Sequence, residues 1–304
     1  MFKLRYGYFV AGIITGLVVL FQFIGTLTDR TLKITHCDVG QGDASYIRFP
    51  DGKDMVVDGG PNDAVVTCLS KHMPFYDRHI DIVLLTHPQK DHMQGLLTVL
   101  DRYDVGVFIR SDVENATEGF EKLLAVVSDN HIPIKFVTSG DRITIGNAVI
   151  TVLWPSADQI ARMKPLIASE TGVSGQVLGV SNGELNDGSI VFWLRYGNFD
   201  EVFSGDADTH VEKNYVGMPL SVDGIEVLKV PHHGSKTGMS ESYLSWLKPQ
   251  LGVISVGKNS YGHPADTILN MLEHAGVTTK RTDQAGDVQI VSDGKEWNVT
   301  STKP

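Results

Sequence analysis

The sequence predicts an α+β domain in which β-sheets are covered by helices, preceded by one N-terminal transmembrane helix. Beyond residue 31, short apolar runs rich in β-branched residues alternate with segments of helical periodicity, which is typical of sheets that pack against helices. Before them, residues 6–28 contain no charged side chain. Because 42% of the 304 residues are hydrophobic, the chain can bury a large core. We therefore divide it into an anchor over residues 1–29 and one domain over residues 30–304.

The N-terminal run is long enough to cross a membrane. Residues 8–27 are almost wholly apolar, and about 20 apolar residues span a bilayer as a helix. Lys3 and Arg5 precede the run, so the positive-inside rule keeps the N-terminus in the cytoplasm and the domain on the outer face of the membrane. The run has no clear small-x-small cleavage site, which favours an anchor over a cleaved signal peptide and a secreted form. A buried soluble helix is a further alternative, but the run lacks a polar face.

The predicted strands are short apolar runs bounded by turn residues. They cover residues 32–36, 44–49, 54–58, 80–85, 105–110, 134–137, 148–153, 189–196, 201–203, 225–230, 251–255, 288–291 and 296–300. Segments of helical periodicity cover residues 63–72, 91–101, 117–129, 208–215, 240–246 and 265–275. Residues 155–186 interrupt the pattern, because a weak helical segment is followed by a stretch rich in glycine and serine. We predict an inserted surface loop there, either a lid or a tolerated insertion.

Charge and cysteine content limit the classes of function. The formal net charge of −10 argues against bulk electrostatic attraction to nucleic acid. It does not exclude an enzyme that meets a phosphodiester at a metal ion. Cys37 and Cys68 have neither CxxC spacing nor a histidine partner at zinc-finger spacing. We expect two small buried thiols, and a single disulfide becomes possible if the domain lies outside the cell.

The segment THPQKDH, which begins at Thr86, carries the strongest chemical signal. A predicted apolar strand runs directly into it and a helical pattern follows. His87 would stand at the strand end, with Asp91 and His92 at the helix start, where their side chains can converge on one ion. Neutral imidazole and carboxylate ligands suit zinc, manganese or iron. The alternative is a helix N-terminus capped by Asp91, with two incidental histidines.

Histidine and aspartate also stand at the ends of other predicted strands. Asp58 ends the strand that closes with VVD, Asp206 follows EVF, His232 and His233 follow IEVLKV, and His263 comes soon after LGVIS. A lone histidine or aspartate at a strand end is usually structural. Repeated placement at the same kind of junction predicts a site built on the strand ends of a sheet.

Two loops supply candidate substrate-binding residues. The loop VGQGD contains Gln41 and Asp43, and its glycines allow a close backbone approach that could cradle an anion. A turn used only for packing is an equal alternative. Ser235 follows the two histidines in VPHHGS and is the third candidate.

The order VDGG, THPQKDH, GD, VPHHGS resembles the metallo-β-lactamase superfamily. More narrowly, the chain is similar to the metallo-β-lactamase-like domain of ComEC-type competence proteins. The similar stretches are HCDVGQGDASYIRF, MVVDGG, LLTHPQKDHMQGL, NDGSIVFWLRYG, VFSGDAD, VLKVPHHGSKTG, VISVGKNSYGHP and RTDQAGDVQI. The resemblance implies an αββα sandwich, with two facing mixed sheets and helices outside. We do not extend it to the transport role of those proteins, which belongs to a multi-helix channel region.

The resemblance also implies the ligands of a metal centre. Its metal-binding residues would be His87, Asp91, His92, Asp206 as the bridging carboxylate, and His232 as the late histidine, with His233 the alternative. Where the pattern HxHxDH has its middle histidine, the chain has Gln89, and an amide is a poor ligand for a transition metal. Asn186 and Ser189 stand where many members supply another histidine. We expect one tightly held zinc or manganese ion, or one tight and one weak, rather than two equal ions.

The implied activity is metal-dependent hydrolysis, with a phosphodiesterase or nuclease as the leading hypothesis and nucleic acid as a possible substrate. A bound metal lowers the pKa of water and supplies hydroxide near neutral pH. Besides Asp91, the candidate catalytic residues are His233 and His263, which would contact the transition state or protonate the leaving group. One alternative keeps the enzyme and changes the substrate to a cell-envelope phosphodiester, a lipid head group or a β-lactam. The other is a metal-poor, non-catalytic domain that binds a partner at the membrane, which Gln89 keeps open.

Overall fold

The strands form two sheets that lie face to face. The computed structural model describes residues 7–16, 30–164, 182–220 and 224–303. In chain order the strands are β1 (Leu32–His36), β2 (Ser45–Arg48), β3 (Asp54–Val57), β4 (His79–Leu85), β5 (Asp104–Arg110), β6 (Ile134–Phe136), β7 (Arg142–Ile145), β8 (Ala148–Trp154), β9 (Val191–Tyr196), β10 (Phe199–Phe203), β11 (Val227–Lys229), β12 (Leu251–Ile254), β13 (Thr278–Arg281), β14 (Val288–Ser292) and β15 (Trp297–Ser301). One sheet has the order β15-β14-β1-β2-β3-β4-β5-β6, and the other has the order β13-β12-β11-β10-β9-β8-β7.

Both sheets are mixed. In the first sheet β3, β4, β5 and β6 pair in parallel, whereas β1, β2, β14 and β15 pair antiparallel. In the second sheet β10, β11, β12 and β13 pair in parallel, and β7, β8 and β9 complete it in antiparallel pairs. Parallel neighbours bring their carboxyl ends to the same edge, and this edge carries the site described below.

The described residues also form a series of helices. They are α1 (residues 7–16), α2 (Ala64–His72), α3 (Lys90–Met93), α4 (Leu96–Arg102), α5 (Glu118–Asp129), α6 (Ala157–Met163), α7 (Asn182–Asp187), α8 (Thr209–Glu212), α9 (Glu241–Leu247), α10 (Asp266–His274) and α11 (Thr282–Ala285). Apolar side chains of α2, α4 and α5 pack on the outer face of the first sheet. Those of α9 and α10 pack on the outer face of the second.

The central core lies between the sheets, and β4 shows why its sequence is continuously apolar. Ile82 and Leu84 face the second sheet, whereas Val83 and Leu85 face the helices. Because both faces of the strand are covered, every position from Ile82 onward is buried and apolar. Two facing mixed sheets with helices outside confirm the predicted αββα sandwich.

Some elements differ from the prediction. The helix expected over residues 91–101 is divided into α3 and α4, because Gly95 donates its N–H to Gly60 O at 3.0 Å instead of continuing the helical ladder. A Cβ at residue 95 would lie 2.0 Å from Gly59 O, so glycine is required at this contact. Strands β7 and β13 were missed because they are edge strands whose side chains are largely exposed or half-buried. In the predicted inserted loop, α6 and α7 are helical, and residues 165–181 lie outside the described residues.

The N-terminal run is only partly described. Residues 7–16 form the helix α1, and residues 17–29 lie outside the described residues. Within the described ranges, no helix has the length and apolar character needed to cross a bilayer. The membrane anchor over residues 1–29 therefore stays a prediction.

Cys37 and Cys68 form a disulfide. The expectation of two free buried thiols is therefore wrong, although both residues are buried as predicted. Cys37 follows β1 and Cys68 lies on α2, so the bond ties that helix to the sheet it covers. The sequence could not decide this, because sequence spacing does not report that the two Cα atoms lie 5.8 Å apart.

Candidate metal centre

The ends of four strands deliver ionisable side chains to one point between the sheets. Asp58 follows β3 and His87 follows β4 in the first sheet, while Asp206 follows β10 and His233 follows β11 in the second. The short helix α3, which continues from the β4 end, adds Asp91 and His92. Asp91, His92, Asp206 and His233 each offer one donor atom, and these four atoms lie within 4.8 Å of one another.

The spacing of these atoms suits a tetrahedral transition-metal ion. His92 Nε2 lies 3.2 Å from Asp206 Oδ1, and His233 Nε2 lies 3.4 Å from Asp91 Oδ2 and 3.5 Å from Asp206 Oδ2. Nitrogen and oxygen ligands bind zinc at about 2.1 Å, which places neighbouring ligand atoms of a tetrahedron roughly 3.4 Å apart. The donor set therefore has both the chemistry and the spacing of a metal site.

The donor atoms are also buried without hydrogen bonds. Among the described residues, nothing donates to or accepts from His92 Nε2, His233 Nε2 or Asp206 Oδ1. Buried polar atoms are rarely left unpaired, because an unmet hydrogen bond costs about 1–3 kcal/mol. Their convergence on one point indicates that a cation completes them.

Hydrogen bonds at the other ring nitrogen turn both histidines toward this point. His92 Nδ1 lies 2.9 Å from Asp58 Oδ2, and Thr86 donates to both oxygens of Asp58 at 2.8 Å. His233 Nδ1 donates to Ser255 O at 2.9 Å. A donor role for Nδ1 leaves the Nε2 lone pair for a metal, which is the usual arrangement of metal-binding histidines.

The buried carboxylates and imidazoles of the site shift one another's pKa. Burial alone would raise the pKa of Asp206, but His233 and His92 hold it well below its usual range. Burial lowers the pKa of His233, yet Asp206 and Asp43 outweigh it and raise the value to about 10. Burial likewise opposes the positive charge of His92, whose pKa Asp206 and Asp58 raise well above its usual value. A metal cation would take over the neutralising role of these protons, so binding would release them.

His87 stands beside the four-residue group without being part of it. Its ring centroid lies 4.1 Å from that of His92, and its Nε2 is also buried without a hydrogen-bond partner among the described residues. Burial lowers the pKa of His87 to about 3, with the neighbouring His92 as the next cause. The imidazole is therefore neutral and keeps a lone pair for a ligand.

Of the two adjacent histidines, His233 and not His232 lies within the donor group. His232 was the preferred late ligand, but its Nε2 lies 3.8 Å from Asp206 Oδ2 and its Nδ1 is held by Asp208 at 2.9 Å. His233, taken as a catalytic candidate with ligation as the alternative, is the one that joins the donor group. The geometry therefore favours His233 as the ligand and leaves His232 at the wall of the cavity.

The orientation of the His232 and His233 imidazoles depends on an unusual backbone. His232 (φ 48°) and His233 (φ 53°) both adopt the left-handed region, as does Asp58 (φ 58°). Non-glycine residues there cost about 1–3 kcal/mol each and persist when the surroundings hold them. The two consecutive left-handed residues set which imidazole points toward Asp206.

The two positions that depart from the superfamily pattern contact each other. Gln89 Nε2 donates to Asn186 Oδ1 at 2.6 Å, and both side chains line the cavity over the metal centre. Ser189, also singled out, has a different role: its Oγ accepts from the backbone N–H of Asp206 at 3.0 Å and lies 3.3 Å from His87 Nδ1. An amide pair thus stands where the resemblance implies further metal ligands.

The loop of Gln41 and Asp43 is a packing turn with one half-buried polar residue, Gln41. Asp43 is buried, and Lys229 Nζ donates to its Oδ2 at 2.6 Å. A Cβ at residue 42 would lie 2.3 Å from Asp91 O, so Gly42 serves close packing rather than anion binding. Asp43 lies behind His233, 3.3 Å from its Nδ1, so its position does not favour substrate binding, which stays a prediction. Gln41 does line the cavity.

Ser235 does not face the cavity either. It is buried, and its Oγ lies 3.3 Å from Thr237 Oγ1, which in turn donates to Asp208. Its role is to brace the turn that carries His232 and His233. This burial does not favour contact with a substrate, and the assignment of Ser235 to substrate binding stays a prediction.

A cavity of about 990 Å³ opens over the metal centre. Asp91, His233 and His263 line it. The ring centroid of His263 lies 5.6 Å from that of His232 and 6.5 Å from that of His233. Burial and the two neighbouring imidazoles lower the pKa of His263. The neutral imidazole thus stands beside the metal centre without joining the donor group.

Sequence reasoning missed residues that fix the side chains around the metal centre in place. Lys229 pairs with Asp43, and Asp208 holds His232. Lys229 offered the clearest signal, because a lysine inside the apolar run IEVLKV must be buried and therefore needs a buried carboxylate. The partner itself could not be read from the sequence.

Comparison with known proteins identifies the family to which the chain is related. A sequence profile of the metallo-beta-lactamase superfamily matches residues 37–258. The chain is 26% identical over 298 residues to ComE operon protein 3 of Bacillus subtilis and 24% identical over 272 residues to Recombination protein 2 of Haemophilus influenzae. These matches cover 92% and 87% of the chain but 35% and 29% of the relatives, so the chain spans about a third of their length.

Solved structures agree on the fold. The metallo-beta-lactamase fold protein YhfI of Bacillus subtilis superposes with a TM-score of 0.54 at 12% identity, covering 86% of this chain and 99% of that one. CmlA, a diiron beta-hydroxylase of Streptomyces venezuelae, gives 0.51 at 15% identity, over 85% of this chain and 53% of that one. The profile match, the sandwich of two facing sheets and the donor group at the strand ends lead to one conclusion: the chain belongs to the metallo-β-lactamase superfamily.

Proposed function

We propose that the chain hydrolyses a phosphodiester with one tightly held divalent ion, zinc or manganese. The observation that carries the proposal is the group of buried, unpaired donor atoms of His92, Asp206 and His233, at tetrahedral spacing beneath an open cavity. Superfamily membership implies a divalent metal and hydrolytic chemistry. When bound, such an ion supplies positive charge and lowers the pKa of the attacking water.

The residues around the centre have distinct roles in this proposal. Asp91, His92, Asp206 and His233 hold the ion, with His87 beside them. His263 lines the open side and, being neutral, donates a hydrogen bond to an oxygen of the phosphoryl group as its charge increases. The water oxygen bonds to phosphorus and gives up a proton, the bond from phosphorus to the leaving oxygen breaks, and the leaving oxygen takes up that proton directly or through solvent.

The size and polarity of the cavity favour a diester over a smaller substrate. At about 990 Å³ the cavity exceeds what one phosphate needs, and Lys90 and Lys258 lie on its walls. The ammonium groups of these two lysines locally offset the net charge of −10 that the whole chain carries. The names of the relatives, which include competence and recombination proteins, support nucleic acid as the source of the diester.

We further propose that the domain works on the outer face of the membrane, held by the segment over residues 1–29. Lys3 and Arg5 ahead of an uncharged run support this orientation. The disulfide between Cys37 and Cys68 adds support, because such bonds persist in oxidising compartments and are rare in the cytosol. Protease added to intact cells should digest the domain, and complete protection until lysis would reverse the orientation.

Hydrolysis of bis-p-nitrophenyl phosphate by the full chain tests the activity. The chain should release p-nitrophenol when supplied with manganese or zinc, lose the activity on chelation and regain it when the metal is returned. If a metal-loaded chain cleaves neither this diester nor DNA, the phosphodiesterase assignment fails. Cleavage of a β-lactam in its place would identify the other class of substrate.

A further inference from the structure

One aromatic ring stands exposed at the mouth of the metal cavity. Tyr261 is 74% exposed, and among the exposed large apolar side chains of the described residues it alone lines this cavity. Its ring centroid lies 5.7 Å from that of His263, with the two planes tilted by 34°. The flat ring of Tyr261 thus lies next to His263, which we place at the reacting phosphoryl group.

The loop that carries Tyr261 is held in a single shape. Asn259 Oδ1 accepts from the backbone N–H of Tyr261 at 3.0 Å and from that of His263 at 3.1 Å. Its Nδ2 donates to the carbonyl oxygens of Gly257 and His263, both at 2.8 Å. The side-chain amide of Asn259 therefore closes the turn, and this fixes the distance between Tyr261 and His263.

The surroundings of the ring suit a base joined to a phosphate. Lys258 and Ser260 line the same cavity and offer a cation and a hydroxyl donor beside the ring. A nucleobase stacks on an aromatic side chain whatever its identity, and such stacking contributes about 1–3 kcal/mol per base. The cavity has room for a nucleoside in addition to the phosphoryl group.

We propose that Tyr261 is a stacking platform for the nucleobase next to the scissile bond, and that Asn259 positions it. The substrate class is then a nucleotidyl diester, and a diester without a base lacks this contact. The inference rests on the proposed phosphodiesterase function. Simple alkyl diesters and lipid head groups carry no flat ring. Their hydrolysis therefore reports on the phosphodiesterase function without the contact to Tyr261.

Two substrates with the same leaving group test it. Thymidine 5′-(p-nitrophenyl phosphate) carries a base, and methyl p-nitrophenyl phosphate does not. The metal-loaded full chain should prefer the thymidine substrate, mainly through KM. Tyr261→Ala and Tyr261→Leu should reduce this preference about tenfold, whereas Tyr261→Phe and Tyr261→Trp should keep it. Phe75→Ala, which removes an exposed ring that does not line the cavity, is the matched control and should change nothing.

Binding gives a second measurement that does not need turnover. Calorimetric titration with thymidine 5′-monophosphate and with methyl phosphate should show tighter binding of the nucleotide, and Tyr261→Ala should remove most of that difference. Equal loss on both ligands, or equal behaviour of the phenylalanine and leucine variants, would overturn the platform. Absence of all diester cleavage together with an intact Tyr261-dependent nucleotide affinity would overturn the proposed function and leave the platform standing.

Discussion

Gln89 donates a hydrogen bond of 2.6 Å to Asn186, which joins the two positions where this chain departs from the ligand pattern of its superfamily. Two residues 97 positions apart in the sequence therefore lie in direct contact in the folded chain. Amides bind transition metals poorly, so the pair supports a centre with one tight ion. Because the two side chains are paired, a replacement of Gln89 alone leaves Asn186, whose amide is a poor metal ligand, beside the new residue.

Rebuilding both positions should create a second metal site. The variant Gln89→His/Asn186→Asp supplies an imidazole and a carboxylate beside the neutral His87, and it should bind a second equivalent of zinc that the parent binds weakly. Calorimetric titration with zinc measures the stoichiometry. Asn186→Ala, which removes the partner without adding a ligand, is the control. A stoichiometry unchanged from the parent would mean that these side chains do not face an ion.

His263→Ala should separate catalysis from metal binding. The imidazole lines the cavity but lies outside the donor group, so its loss should leave the metal content nearly unchanged. Turnover of bis-p-nitrophenyl phosphate should fall roughly 10²-fold, because one hydrogen-bond donor to the transition state is lost. Loss of metal from this variant would place His263 among the ligands.

The buried pair of Lys229 and Asp43 should be costly to break. Lys229→Met leaves the Asp43 carboxylate buried and uncompensated, so the free energy of unfolding in urea should fall by about 3–5 kcal/mol. Lys229→Met/Asp43→Leu removes both charges and should recover part of this loss. Lys236→Met, at an exposed lysine of the following loop, should change stability by about 0.5 kcal/mol or less. Equal stability of the Lys229 and Lys236 variants would show that the pair is not buried as described.

Asp287 should make the stability of the domain depend on pH. Burial alone would raise the pKa of its carboxyl, but hydrogen bonds from His72, the Asp38 backbone N–H and Lys71 lower it to about 2. A carboxyl whose pKa is lower in the folded chain stabilises above its ordinary value of 3.8 and loses this effect as pH falls through 2.

Asp287→Asn should therefore destabilise the chain at pH 6 by about 1 kcal/mol, since the partner Lys71 is exposed and solvent screens the pair. The difference from the parent should shrink below pH 3.8 and vanish near pH 2. Urea unfolding at a series of pH values measures this, with Asp101→Asn on the exposed face of α4 as the control. A difference that stays constant with pH would assign the loss to packing instead of charge.

The sequence predicts this site as far as local pattern reaches. Asp58, His87, Asp206 and His263 each follow a readable apolar strand, and parallel strands bring such ends together. The partners of these residues are long-range: Lys229 and Asp43 are 186 positions apart, and only the assembled sheets bring them together. The choice between His232 and His233 could not be predicted, because it depends on two left-handed residues that no periodicity reports.

Metal content measured by mass spectrometry on the full chain and three variants tests the central claim most directly. The parent should carry about one equivalent of zinc or manganese. His233→Ala and Asp206→Ala should lose most of it, because each removes a donor from the four-residue group. His232→Ala should keep it, since that imidazole is held by Asp208. A parent without metal, or a His233→Ala variant that retains full occupancy while His232→Ala loses it, would contradict the account.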